Sequence, residues 1–319
     1  MISIVVPIYN EEENIVRFHA ALEAAMEPEP SWEVIYVNDG SRDSSLSLLQ
    51  QIQQVDSRVT VVEFSRNFGH QPALTAGLHT ARGDAVIMMD GDFQDPPEVL
   101  PRLIDAWKTG AKVVIAERTS RADKGLRGKL FPLFYRIMGF TSDFPIPLNA
   151  GIFGLLDRQA ADAINHLQEG NRYLPGLRAW VGFPTAVVYY DRADRAAGEP
   201  KQTIVKLFKY AMDAIFSFSY KPLRLGLALG SLVMAVAVTL GLAMAGGALS
   251  GHATATGMGT ALTVLFMGGI QLLCIGLLGE YLGRIYDEVR RRPLYLVHKL
   301  HRAENVDRPY PVDVITTAA

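Results

Sequence analysis

Two stretches near the C-terminus, Leu225–Leu249 and Met258–Leu282, contain no Asp, Glu, Lys or Arg before Glu280. Helices of that length and purity reach across a hydrocarbon layer of about 30 Å, whereas buried core helices are rarely so free of charge. The intervening Ser250–Gly257 has no Lys or Arg, while Lys209, Lys221 and Arg224 precede the pair and Arg284, Arg290, Arg291 and Arg292 follow it. The positive-inside rule then predicts a transmembrane hairpin with both chain ends in the cytoplasm. Gly241, Gly246, Gly247, Gly268 and Gly269 permit close packing of the two helices and self-association of the hairpin into a homo-oligomer.

Ahead of this region the chain reads as a water-soluble α/β domain. Short apolar runs at Ile2–Ile8, Glu33–Asn38, Val59–Phe64, Ala85–Met89 and Val113–Ala116 predict strands. Between them, helices are expected over Asn14–Met26 with an acidic first turn, Ser44–Val55, Gln71–Ala81 and from Pro96 to about Thr109. Gly83 is a plausible stop for the third of these. Strands alternating with helices predict a mainly parallel, doubly wound sheet, with ligands at the carboxyl ends of its strands. Asn10, Asp39, Arg66 and the cluster Asp90–Asp95 stand at those ends.

Net charge is −2, which excludes a general nucleic-acid binder, and the single cysteine, Cys274, excludes a disulfide framework or a cysteine-ligated zinc. The start of the chain has no signal-peptide h-region: Asn10, Glu11, Glu12 and Glu13 interrupt it at once, so the first domain is expected in the cytoplasm. The basic, aromatic run from Gly125 to Gly139 reads equally as a surface helix or a segment at the membrane surface. Lys201–Lys221, with Ile204, Leu207, Phe208, Ala211 and Ile215 at helical spacing, reads as an interfacial helix.

The chemistry-bearing residues sit at strand ends. Asp90-Gly91-Asp92 follows a strand and offers two carboxylates to a divalent cation that would keep sites open for substrate phosphates. Asp39-Gly40 closes the second strand, where glycine lets the backbone turn beside a ligand. An apolar strand ending in Asp also suits a nucleoside triphosphatase, but Gly128-Lys129 is followed by Leu130 and no phosphate loop exists. A G-x-G-x-x-G turn after the first strand is missing too. What remains is a sheet that handles a nucleotide diphosphate through carboxylates and metal.

Val6-Pro7-Ile8-Tyr9-Asn10-Glu11-Glu12, Val37-Asn38-Asp39-Gly40-Ser41, Ser65-Arg66-Asn67-Phe68-Gly69-His70-Gln71 and Met89-Asp90-Gly91-Asp92-Phe93-Gln94-Asp95-Pro96-Pro97-Glu98 resemble family 2 glycosyltransferases. The group is that of the polyprenyl-phosphate enzymes, the dolichyl-phosphate mannose synthases and bactoprenol glucosyltransferases. The resemblance continues through Arg195 and Gly198, Ser217-Phe218-Ser219 and Gly279-Glu280-Tyr281-Leu282-Gly283-Arg284. It implies a Rossmann-like GT-A domain over 1–200, an interfacial helix over 201–223, two transmembrane helices within 224–283 and a cytoplasmic tail over 284–319.

The resemblance also implies roles. Pro7, Tyr9 and Glu11 would border the nucleobase and ribose, Asp39 would accept a hydrogen bond from the base, and Asp90 would lie by the nucleotide. Asp92 and Gln94 would hold Mg²⁺ or Mn²⁺ on the diphosphate. Arg118, Arg121 and Arg195, joined by Lys201, are the candidates for an acceptor phosphate, and Asp90, Asp92, Arg118 and Arg195 count as catalytic. The implied reaction is inverting transfer of a hexose, glucose from UDP-glucose first, to undecaprenyl or another polyprenyl phosphate at the cytoplasmic membrane. Mannose from GDP-mannose, an aminoarabinose-type donor and an inactive membrane scaffold are the alternatives. Where mannose synthases often carry D-x-G-D-F-R, this chain has Asn149-Ala150-Gly151-Ile152-Phe153-Gly154, so two acids are gone. Asp157, the nearest remaining acid, is expected to cap the helix Arg158–Leu167 instead of serving as a base.

Overall fold

A computed structural model describes residues 1–119, 150–167, 169–170, 172–191, 223, 226, 228, 230–239, 242 and 256–303. The chain divides into two compact units, the second containing 204–291 and the first containing the N-terminal residues together with those from 292 onward.

The first unit is built on one eight-stranded sheet, in the order β7-β5-β6-β4-β1-β2-β3-β8. Its strands are β1 (Ile2–Ile8), β2 (Trp32–Asn38), β3 (Val59–Phe64), β4 (Ala85–Met88), β5 (Val113–Arg118), β6 (Ala150–Asp157), β7 (Thr185–Tyr190) and β8 (Val297–His301). The helices are α1 (Ile15–Met26), α2 (Ser45–Val55), α3 (His70–Thr80), α4 (Leu100–Lys108), α5 (Arg158–Asn165) and α6 (Leu174–Trp180). β1 lies at the centre because it is apolar on both faces: Ile4, Val5, Val6 and Ile8 are all buried. Helix α1 turns Ile15, Phe18, Leu22 and Met26 inward at helical spacing. Phe18 and Leu22 are fully buried, and each stabilises the fold by about 1.5–3 kcal/mol.

The sheet is mixed. β1, β2, β3 and β4 run parallel to their neighbours within that group, as β5 does to β7, but β6 is antiparallel to both β4 and β5, and β8 is antiparallel to β3. Because β6 reverses twice, β4, β5 and β7 all end at the edge where β1 and β2 end. The expected helix from Pro96 begins as a 3-10 turn over Pro97–Val99, and α4 follows with Pro101 in its first turn, where no backbone N–H is needed. The acids before α1 precede its first turn; Glu11 instead receives the side-chain amide of Asn14 through Oε2 at 2.7 Å.

The second unit contains α7 (Gly230–Thr239) and α8 (Thr256–Val289). Phe266–Val289, within α8, is the one described segment long and apolar enough to cross a membrane; α7 is shorter. α8 runs past the expected end at Leu282, and Glu280 and Arg284 pair along it at 2.8 Å. Gly226 lies against α8, its carbonyl oxygen 3.9 Å from Cys274 Sγ. Residues 243–255, which include most of the expected loop, lie outside the described residues, as do the expected interfacial helix 201–221 and the basic segment 125–139.

Candidate active site

The carboxyl ends of β1, β2, β4, β5 and β7 share one edge, and the polar residues gather there. Asn10, just beyond β1, has φ 54, a left-handed conformation that asparagine tolerates. Its Oδ1 accepts from Arg42 N at 2.8 Å and its own N–H reaches Ser41 Oγ at 3.1 Å, locking the turns after β1 and β2 together. Tyr9 is 41% exposed beside them, while Pro7 is half-buried. Glu11 donates its backbone N–H to Ser45 Oγ at 2.9 Å.

Asp39 is 4% exposed and receives two backbone donors, Phe68 N at 2.7 Å and Gly69 N at 2.9 Å. Burial pushes its carboxyl above the usual range in spite of those donors. Gly40 follows at φ 66, and a Cβ there would stand 2.6 Å from Arg66 C and Asn67 N. The turn after β2 is thus pressed against the loop after β3, and only glycine permits the contact.

That loop delivers His70, the first residue of α3, to Asp90: His70 Nε2 stands 2.7 Å from Asp90 Oδ1. Burial works against the charged imidazole, but the hydrogen bond and charge of Asp90, with Asp39 and Asp92 behind it, outweigh burial and hold its pKa above the ordinary value. Gly91 sits where a Cβ would meet Ile8 Cδ1 at 2.9 Å, so the turn carrying Asp90 and Asp92 packs directly on β1. Asp92 Oδ1 accepts from Gln94 N at 3.1 Å, which tightens the same turn. Phe93 anchors it underneath, edge-on to Phe18 at 5.5 Å.

Asp95, 2% exposed, is pushed up to about 6 by burial and by the charge of Asp90. The Tyr190 hydroxyl donates to its Oδ1 at 2.8 Å, and Arg118 Nε donates to that hydroxyl at 3.1 Å. Burial and the charge of Asp95 push the Tyr190 phenol up to about 12.

The structure therefore gathers Asp39, Asp90, Asp92 and Arg118 at one edge with Gln94, near Tyr9 and Glu11. Arg121, Arg195 and Lys201 lie outside the described residues. Asp95 was expected at this edge only as part of the Asp90–Asp95 cluster, and His70 and Tyr190 were assigned no role from sequence; their pairings join residues far apart in the chain and have no local signature. Asp157 lies elsewhere. It pairs with Ala85 at the start of β4, about 15 Å along the strand direction from Asp90. There it caps α5 through Gln159 N at 3.1 Å and accepts from Trp107 Nε1 at 2.8 Å and Lys112 Nζ at 3.1 Å.

Among the described residues, the group of three candidate metal ligands closest together is His19, Glu23 and Asp56, but the Arg58 guanidinium already bridges Glu23 and Asp56 there. Among the described residues the strand-end carboxylates form no such group of three. Mg²⁺ takes one or two protein carboxylates and completes its shell with water and substrate phosphate, so Asp92 and its neighbours need not close a cage.

Residues 3–164 match the glycosyl transferase family 2 model. An uncharacterised glycosyltransferase of Bacillus subtilis, YkcC, is 41% identical over 306 residues, covering 95% of each chain. The SfII prophage-derived bactoprenol glucosyl transferase of Shigella flexneri is 42% identical over 94% of this chain and 98% of its own. The prophage bactoprenol glucosyl transferase homolog of Escherichia coli is 39% identical over 94% and 99%. With the acids at its strand ends and this match along nearly its whole length, the chain belongs to glycosyl transferase family 2 and is a glycosyltransferase of the α/β GT-A fold.

Proposed function

We propose that the protein transfers glucose from UDP-glucose to undecaprenyl phosphate or a similar polyprenyl phosphate, with inversion, at the cytoplasmic face of a membrane. The observation that carries this reading is the convergence of Asp39, Asp90, Asp92 and Arg118 on one sheet edge, in a chain about 40% identical to bactoprenol glucosyl transferases. Anchoring rests on α8: Val264, Phe266, Leu272 and Leu273 are exposed along it, and such a surface is stable against lipid. The two-span hairpin with both ends cytoplasmic rests on the sequence alone.

In this reading Asp39 and the turn at Asn10 frame the nucleoside, with Tyr9 exposed beside them. Asp90, Asp92 and Gln94 face the diphosphate. A divalent cation held by Asp92 and Gln94 would neutralise charge on the departing UDP. Arg118 orients the acceptor phosphate, joined by Arg121, Arg195 and Lys201. A phosphate oxygen attacks the anomeric carbon as the bond to the UDP β-phosphate breaks. The phosphate monoester has its second ionisation near about pH 6, so its oxygen is already anionic at neutral pH and needs no general base. The commitment of Asp157 to a helix cap on the opposite edge agrees with this.

The test is the product of UDP-glucose and a short polyprenyl phosphate with the full chain in detergent. A β-linked glucosyl phosphate lipid with one UDP released per turnover, read from the anomeric proton coupling, is the expected product. An α-linked product, or free glucose as the main product, would overturn the reading.

A further inference from the structure

Tyr190 belongs to no role considered so far, yet at the outer end of the edge it touches both Arg118 and Asp95. It closes β7, and Arg118 closes β5 directly opposite it in parallel register. Its ring is 4% exposed and meets Phe153 of β6 edge-on, centroids 5.4 Å apart at 88°. The ring therefore cannot swing without disturbing the core. Its hydroxyl is used twice: it donates to Asp95 Oδ1 at 2.8 Å and accepts from Arg118 Nε at 3.1 Å. Arg118 Nη2 itself stands 3.8 Å from Asp95 Oδ1, too far for a direct hydrogen bond.

We propose that Tyr190 is a positioning residue: its hydroxyl fixes the Arg118 guanidinium against the loop of Asp90, Asp92 and Asp95, so that acceptor arginine and donor carboxylates act in one fixed geometry. The inference rests on the assignment of Arg118 to the acceptor phosphate. A guanidinium binds a phosphate well only when its fork is aimed, and an arginine on a strand end has enough rotatable bonds to miss. Committing Nε to a rigid phenol sets the plane of the fork. Because the same hydroxyl holds Asp95, a shift of the Asp90–Asp95 loop moves the arginine's anchor as well. This accounts for a buried tyrosine placed between an acid and a base that form an ion pair but are too far apart to hydrogen-bond directly.

The experiment is a double-mutant cycle with Tyr190→Phe and Arg118→Lys in the full chain, read as transfer from UDP-glucose to a short polyprenyl phosphate. Phenylalanine keeps the ring packing on Phe153 and removes only the hydroxyl. Tyr190→Phe should lower kcat/KM for the lipid phosphate about tenfold to a hundredfold and leave UDP affinity within about twofold, while the melting temperature falls by a few degrees because buried Asp95 loses its hydroxyl donor. In the Arg118→Lys background, which has no Nε to hold, the same change should cost less than about threefold. An equal loss in both backgrounds, or a loss of UDP affinity as large as the loss of turnover, would overturn the positioning role. Failure of the assignment of Arg118 would look different: Arg118→Lys would then turn over like the unsubstituted chain while Tyr190→Phe stayed impaired or did nothing.

Discussion

Replacing Asp39 with asparagine perturbs the frame of the donor side at one atom. The carboxylate receives Phe68 N at 2.7 Å and Gly69 N at 2.9 Å. An amide has one acceptor oxygen, so one of those N–H groups would face an NH₂ donor. Leaving a buried backbone donor unpaired costs about 1–3 kcal/mol. Part of that is offset. Burial holds the Asp39 pKa above its usual value, so the ionised form bears a desolvation cost that a neutral amide escapes. The net loss should be about 1–2 kcal/mol, which lowers Tm by about 3–6 °C in a domain of this size. The loop being held also carries His70 to Asp90, so UDP affinity should fall about tenfold. Thermal unfolding of the full chain in detergent and calorimetric titration with UDP measure the two effects. A variant that melts with the unsubstituted chain and binds UDP equally well would refute the reasoning.

Asp92→Asn should abolish transfer while leaving the melting temperature intact, because a carboxamide lacks the charge to hold a divalent ion beside phosphate; near-normal turnover, or full turnover of the unsubstituted chain in excess chelator, would count against the metal assignment. His79, on α3, has its pKa lowered from 6.5 to about 4, by burial first and the Arg172 charge second, and its Nδ1 stands 2.9 Å from the Tyr295 hydroxyl. The unfolded chain takes up a proton there at a higher pH than the folded one, so stability is full above 6.5 and falls as pH drops toward about 4, by at most about 3 kcal/mol. Urea midpoints at about pH 8 and about pH 5 should therefore diverge more for the unsubstituted chain than for His79→Gln. Asp157→Asn should keep substantial turnover at every pH, since asparagine caps a helix about as well as aspartate; a loss of about a thousandfold in kcat with UDP still bound would mark it as a base after all.

The elements from Ile2 to Lys108 were legible because each apolar run is bounded by a turn residue, and the structure shifts most of their ends by only a residue or so. β8 was not legible. Val297–His301 alternates apolar and charged residues weakly and follows a long apolar helix; it becomes a strand by covering the open edge of β3, where Ser65 N donates to Leu296 O at 3.1 Å. Tyr295, stacked on Phe64 at 5.0 Å, anchors that return. The antiparallel β6 was hidden for a similar reason: Ala150–Asp157 contains two glycines and is ordered by its neighbours on both sides. At the site, the acids were legible because strand ends in a parallel group mark ligand positions. His70 and Tyr190 were not, because each owes its importance to a partner that only folding brings near.

The measurement that bears most directly on the account is transfer by the full chain across a matrix of donors and acceptors: UDP-glucose, GDP-mannose and an aminoarabinose-type donor, each with a short polyprenyl phosphate and with the corresponding alcohol. The account predicts a lipid product with UDP-glucose and the phosphate, and turnover at least about a hundredfold lower with the alcohol, which has a proton to lose and no base to take it. Comparable transfer to the alcohol, or no sugar transferred to the phosphate from any donor, would contradict it.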